Sequence, residues 1–109
     1  MDGLVIWDLQ GLKILRIDYG QVVDPVAMLH EIMKEHSSSE ADIAYSFVDF
    51  AYRKFPQGFI DTYKILAARI SENKKALVCA YIGLHPDHYE AAKEVAKELH
   101  LEKVYVEFF

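Results

Sequence analysis

The segment Ala76–Ile82, ALVCAYI, is apolar at every position. Successive residues of a strand point to opposite faces, so such a run suits a central parallel strand covered on both sides. Four other runs read as strands around it. Ile43–Phe50 (IAYSFVDF) is the second strong one. Lys13–Tyr19 (KILRIDY) alternates with a period of two: Leu15, Ile17 and Tyr19 share one face, and Ile14, Arg16 and Asp18 share the other. That pattern suits a strand with one solvated side. Leu4–Leu9 (LVIWDL) precedes it across Gln10-Gly11, a link short enough for a hairpin. Lys103–Phe108 (KVYVEF) is the last, with Val104, Val106 and Phe108 on one face.

Helical patterns lie between these strands. Asp24-Pro25 is a helix start, because the Asp carboxylate accepts free backbone N–H groups and Pro fits the first helical position. Leu29, Ile32, Met33 and His36 then recur at helical spacing. From Gly58 to about Glu72, Phe59, Tyr63, Leu66 and Ile70 form one helical face. Pro86 opens a third helix, whose stripe is Tyr89, Ala92, Val95 or Ala96, and Leu99. The resulting order is β-β-α-β-α-β-α-β. It predicts an α/β fold with a single, mainly parallel, five-stranded sheet, right-handed crossovers and one antiparallel strand at the edge.

A length of 109 residues fits one domain, 1–109. The formal charge of −5 disfavours nucleic acid, which needs clustered Lys and Arg. One Cys excludes an internal disulfide and any all-Cys metal site. No apolar stretch approaches the roughly 20 residues of a membrane span, and the acidic start Met1-Asp2-Gly3 shows no secretory pattern. A cytoplasmic location is expected.

The segments KILRIDY, DPVAMLHEIMKEH, IAYSFVDF, the helix from Gly58 and ALVCAYIG together resemble the STAS-like fold. Bacterial anti-sigma-factor antagonists share that fold, and CRAL-TRIO lipid-binding domains extend it. The resemblance implies a STAS-like regulatory or interaction domain, with Asp49-Phe50 as the acidic-apolar pair that ends a strand before a helix. The antagonists carry a phosphorylatable Ser at the start of that helix. The matching stretch here, Phe55-Pro56-Gln57-Gly58, has no Ser or Thr, so their phosphorylation switch is not implied. The family also closes with a helix after its last strand. This sequence stops at Phe108-Phe109, so a partner is expected to cover the last strand, or the sheet end stays exposed.

In an open parallel sheet, ligands sit beyond the carboxyl ends of the strands. That rim holds Tyr19 and Gly20, Asp49 to Arg53, and Gly83 to His88. His85, Asp87 and His88 form a zinc-type donor set. However, His85 precedes Pro86 and His88 falls in the first helical turn, so the three need not converge. The competing reading is a turn and a helix start. Asp49 is either a base, the cap of its loop, or an ion-pair partner of Arg53 or Lys54. Arg53 and Lys54 stand before a helix start and are either an anion site or solvated charges. Cys79, amid apolar neighbours, reads as a small hydrophobe. Tyr52 and Phe55 flank charges in a loop, and Phe109 ends the chain. These aromatics are either core or anchors for a partner.

Two classes of function follow. The first is a non-enzymatic module that self-associates as a homodimer, or binds a protein or a small apolar ligand. Tyr52, Phe55 and Phe109 would be its anchors and Arg53 its orienting group, with Asp49, His85 and His88 on the same rim. The second is a small hydrolase or isomerase that uses Asp49 with His85 or His88 as acid and base. A shallow-groove lipid binder is a third reading, from the CRAL-TRIO likeness alone. No cofactor, metal, nucleic acid or membrane span is expected.

Overall fold

A computed structural model describes residues 2–99 and 103–108 of the chain. Its strands are β1 (Leu4–Leu9), β2 (Leu12–Asp18), β3 (Ile43–Asp49), β4 (Ala76–Ile82) and β5 (Lys103–Phe108). Its helices are α1 (Pro25–Ser38), α2 (Gln57–Asn73) and α3 (Tyr89–Glu98). The strands lie in sequence order, β1-β2-β3-β4-β5. No helix among the described residues is long and apolar enough to cross a membrane.

Three expectations need correction. First, the sheet is mixed and not the mainly parallel, STAS-like one expected. Four parallel strands, β2 to β5, are extended by β1, which runs antiparallel to β2. Gln10 (φ 55°) and Gly11 (φ 86°) form the two-residue turn between β1 and β2. Positive φ at both positions matches the twist of a hairpin, and two residues are too few for a parallel crossover. Second, the element order is not a plain β-β-α-β-α-β-α-β. Short 3-10 turns, Tyr19–Gln21 and Pro86–His88, intervene before α1 and α3. The Asp18 carboxylate folds the first by accepting from Gly20 N at 2.9 Å. Third, β4 is covered on one face only.

That third correction follows from the connections. Each parallel strand is added on the same side of the one before it. Right-handed crossovers then place every connecting helix on the same face. The core accordingly joins alternate residues of three strands to all three helices. Leu15 and Ile17 of β2, Ala44 and Val48 of β3, and Leu77, Cys79 and Tyr81 of β4 pack with Met28, Leu29, Phe59, Leu66 and Ala92. The residues between them in the ladder point the other way. Ile14, Arg16, Tyr45, Phe47, Val78, Ala80 and Ile82 are all half-buried, with no helix over them among the described residues.

Local chemistry fixes the helix starts. Asp24 caps α1, accepting from Ala27 N at 3.1 Å, and Pro25 occupies the first turn. At the opposite end of α1, His36 is buried and shares a 3.0 Å hydrogen bond with Ser46 of β3. Burial, with Lys74 and Lys13 nearby, lowers the His36 pKa to about 4. Its imidazole is therefore neutral at pH 7.

Candidate functional site

The loops after β2, β3 and β4 do meet at one rim, but they use most of the candidate side chains to hold one another. Asp49 accepts from Ala51 N at 2.8 Å, so its carboxylate turns the loop after β3. Ala51 and Tyr52 both sit at φ 54°, an uncommon conformation for residues with a side chain. Backbone bonds from Phe50 N to Ile82 O (2.9 Å) and Tyr52 N to Gly83 O (2.7 Å) clamp this turn to the end of β4. Gly83 is required there. Its φ is +62°, and a Cβ would stand 2.9 Å from Asp49 Oδ1.

Arg53 is a structural bolt and not an orienting group for a ligand. Its guanidinium donates to Tyr19 O at 2.8 Å and Val22 O at 2.7 Å, tying the loop after β3 to the loop after β2. It also lies 5.4 Å from the centre of the Phe55 ring. Phe55 is 5% exposed, which removes it as a partner anchor. Its ring stacks on Phe59 at 4.1 Å and meets Tyr19 edge-on at 5.2 Å. Flanking charges gave this loop a surface appearance, yet the chain dips inward between them. Among the described candidate anchors, Tyr52, 72% exposed, is the one in solvent. Phe109 lies outside the described residues.

The two histidines are committed to backbone. His88 is buried, and its Nε2 accepts from Phe55 N at 2.9 Å. Burial, and His85 beside it, hold its pKa below the usual value. The proton of the neutral ring therefore sits on Nδ1. His85 Nδ1 accepts from Asp87 N at 3.1 Å and so caps the turn before α3. Asp87 pairs with Lys54 at 3.1 Å on the surface. The hydrogen bonds found among the described residues do not join Asp49 to either histidine, and no three potential metal ligands gather there.

The feature that sequence reasoning missed is the bare face of the sheet. Trp7 of β1 is 39% exposed on it, and Val5 49%. Phe47 lies 6.4 Å from Trp7, ring to ring, and Arg16 places its guanidinium carbon 5.8 Å from the Trp7 ring centre. Ile14, Tyr45, Val78 and Ile82 complete an apolar surface. The same register puts Asp18 and Asp49 side by side at its carboxyl end. Arg16 thus lies within this face and Asp18 and Asp49 at one margin, while the register of β5 adds charged positions at the far edge, Lys103 opposite Ala76 and Glu107 opposite Ala80. A signal was available: ALVCAYI demands cover on two sides, and the right-handed crossovers supply it on one.

Against known protein families, curated proteins and solved structures, the chain shows no significant match.

Proposed function

We propose that the chain is a non-enzymatic interaction module that pairs with a second copy of itself, bare sheet face against bare sheet face. The observation that carries this reading is the apolar second face of the mixed sheet, whose β2–β5 part is parallel, left without a covering layer among the described residues. Parallel sheets are almost always covered on both faces. A second sheet stacking at about 10 Å is the simplest cover for a flat surface.

Self-pairing needs no partner beyond the chain itself: a flat apolar face presents the same residues to a copy turned through a twofold axis, with Trp7, Phe47 and Tyr45 available for the contact. Size sets the expected strength. Five strands about 4.8 Å apart and about 20 Å long present roughly 500 Å² in projection. Side-chain relief enlarges that area, but it stays at the low end of stable interfaces. A dimer that dissociates on dilution is expected. The acid–base reading gains no such support, because Asp49, His85 and His88 each hold backbone N–H groups.

Sedimentation velocity across a wide concentration range tests the proposal. The wild type should shift from monomer to dimer, and Phe47→Glu should remain monomeric while keeping its circular dichroism. A wild type that is monomeric throughout, or a Phe47→Glu variant that dimerises as well as the wild type, overturns it.

A further inference from the structure

We propose that His88 is an acid-sensitive latch: its neutral ring holds residues 54–56 against the core, and protonation of that ring frees the segment and uncovers the aromatic cluster beneath it. The device does not depend on the proposed dimer contact.

The latch is one hydrogen bond with a fixed direction. His88 Nε2 accepts from Phe55 N at 2.9 Å, and both residues are buried. The neutral ring carries its proton on Nδ1, so a second proton has to sit on Nε2. Two N–H donors would then face each other, and the buried Phe55 amide would lose its acceptor. A protonated ring and a closed segment are therefore incompatible. Little else ties the segment down. Pro56 has no N–H to donate, and no side chain caps the start of α2 that follows it. The Lys54–Asp87 ion pair, 3.1 Å, is exposed and weak. Just upstream, Arg53 is bonded to Tyr19 O and Val22 O, which confines an opening to residues 54–56. Such an opening lifts the Phe55 ring from its stack on Phe59 and its edge contact with Tyr19.

The surroundings of the ring set the sign of the response. Burial, and after it His85, keep the closed ring neutral; Lys54 adds to them, and Asp87 opposes. Asp87 is already paired with Lys54. The hollow that His88 lines brings Tyr63 from α2, Tyr81 from β4, and Ala91 and Ala92 from α3. Burial keeps both tyrosine hydroxyls neutral, so neither offers the imidazolium a counter-charge. Arg53, 5.4 Å from the Phe55 ring centre, adds a cation nearby. The closed ring thus takes up its proton only below the ordinary 6.5, whereas a solvated ring in the open segment takes it up at that value. Falling pH therefore favours the open form.

Amide hydrogen exchange of the ¹⁵N-labelled full chain between pH 7 and 5 tests the latch, with protection factors corrected for the intrinsic exchange rate at each pH. The Phe55 amide should lose protection by about tenfold or more over that range, because each pH unit below 6.5 favours the open form by up to about tenfold. In His88→Gln the side-chain oxygen still accepts from Phe55 N but does not titrate, so protection should stay constant. His36→Gln and His85→Asn should each lose as much protection as the wild type, which separates the latch from global unfolding and from the neighbouring ring. The proposal is overturned if Phe55 keeps its protection in the wild type, or if His88→Gln loses as much as the wild type. It is overturned equally if the loss disappears in His36→Gln or in His85→Asn. Should His88→Gln not fold, the His88 ring and the Phe55 amide of the wild type, followed by their chemical shifts, must titrate with one common midpoint; separate midpoints overturn the proposal.

Discussion

Acidification should destabilise this protein through the buried His36. Its pKa falls from an ordinary 6.5 to about 4 in the folded chain. The unfolded chain therefore binds a proton that the folded chain refuses between those two values. Stability rises with pH wherever the unfolded state holds more protons. The contribution is intact above about pH 6.5 and declines as pH falls towards 4. At about 1.4 kcal/mol per pH unit, the loss comes to ~2 kcal/mol at pH 5 and ~3 kcal/mol at pH 4. The causes are burial first, then Lys74 and Lys13, with Glu35 opposing. The assay is urea unfolding at a series of pH values for wild type and His36→Gln. The variant keeps a hydrogen-bonding group for Ser46 but cannot titrate. Its absolute stability will differ, so the informative quantity is the slope against pH. His88, held low for similar reasons, contributes equally to both proteins. Between pH 7.5 and 5 the wild type should lose ~2 kcal/mol more than the variant. Equal slopes would refute the assignment of a buried, neutral imidazole.

Two further outcomes follow from the rim. Gly83→Ala should cost about 2 kcal/mol or more, because φ is +62° and the new methyl meets Asp49 Oδ1; chemical denaturation measures it. Arg53→Leu should cost about 2 kcal/mol by removing the donors to Tyr19 O and Val22 O. Arg53→Lys should recover only part of it, since an ammonium can donate to the two carbonyls but lacks the planar guanidinium that packs 5.4 Å from the Phe55 ring centre; melting curves of the two variants separate these effects.

Much of the backbone was legible from local patterns. Alternation in KILRIDY placed Leu15, Ile17 and Tyr19 in the core, where they are among the most deeply buried residues. Asp24-Pro25 marked the start of α1 because capping is a short-range interaction. The site was less legible, for three physical reasons. Arg53 reaches carbonyls 31 and 34 residues earlier, and spacing does not encode such a contact. Phe55 looked exposed because its neighbours are charged, but a single side chain turns inward wherever the loop crosses the core. In β4, an apolar run reports that two faces avoid water. It does not report whether this chain or another supplies the second cover. The bare face becomes visible only after the handedness of three crossovers is applied to a strand order that never reverses.

Trp7, the only tryptophan in the chain, lies on the bare face and so reports on that surface directly. Its emission maximum and its quenching by acrylamide, followed across a dilution series, decide whether a second copy covers it. The expected result is a blue-shifted, quencher-protected Trp7 at high concentration that becomes red-shifted and accessible on dilution. Emission and quenching that stay constant at every concentration would contradict the account.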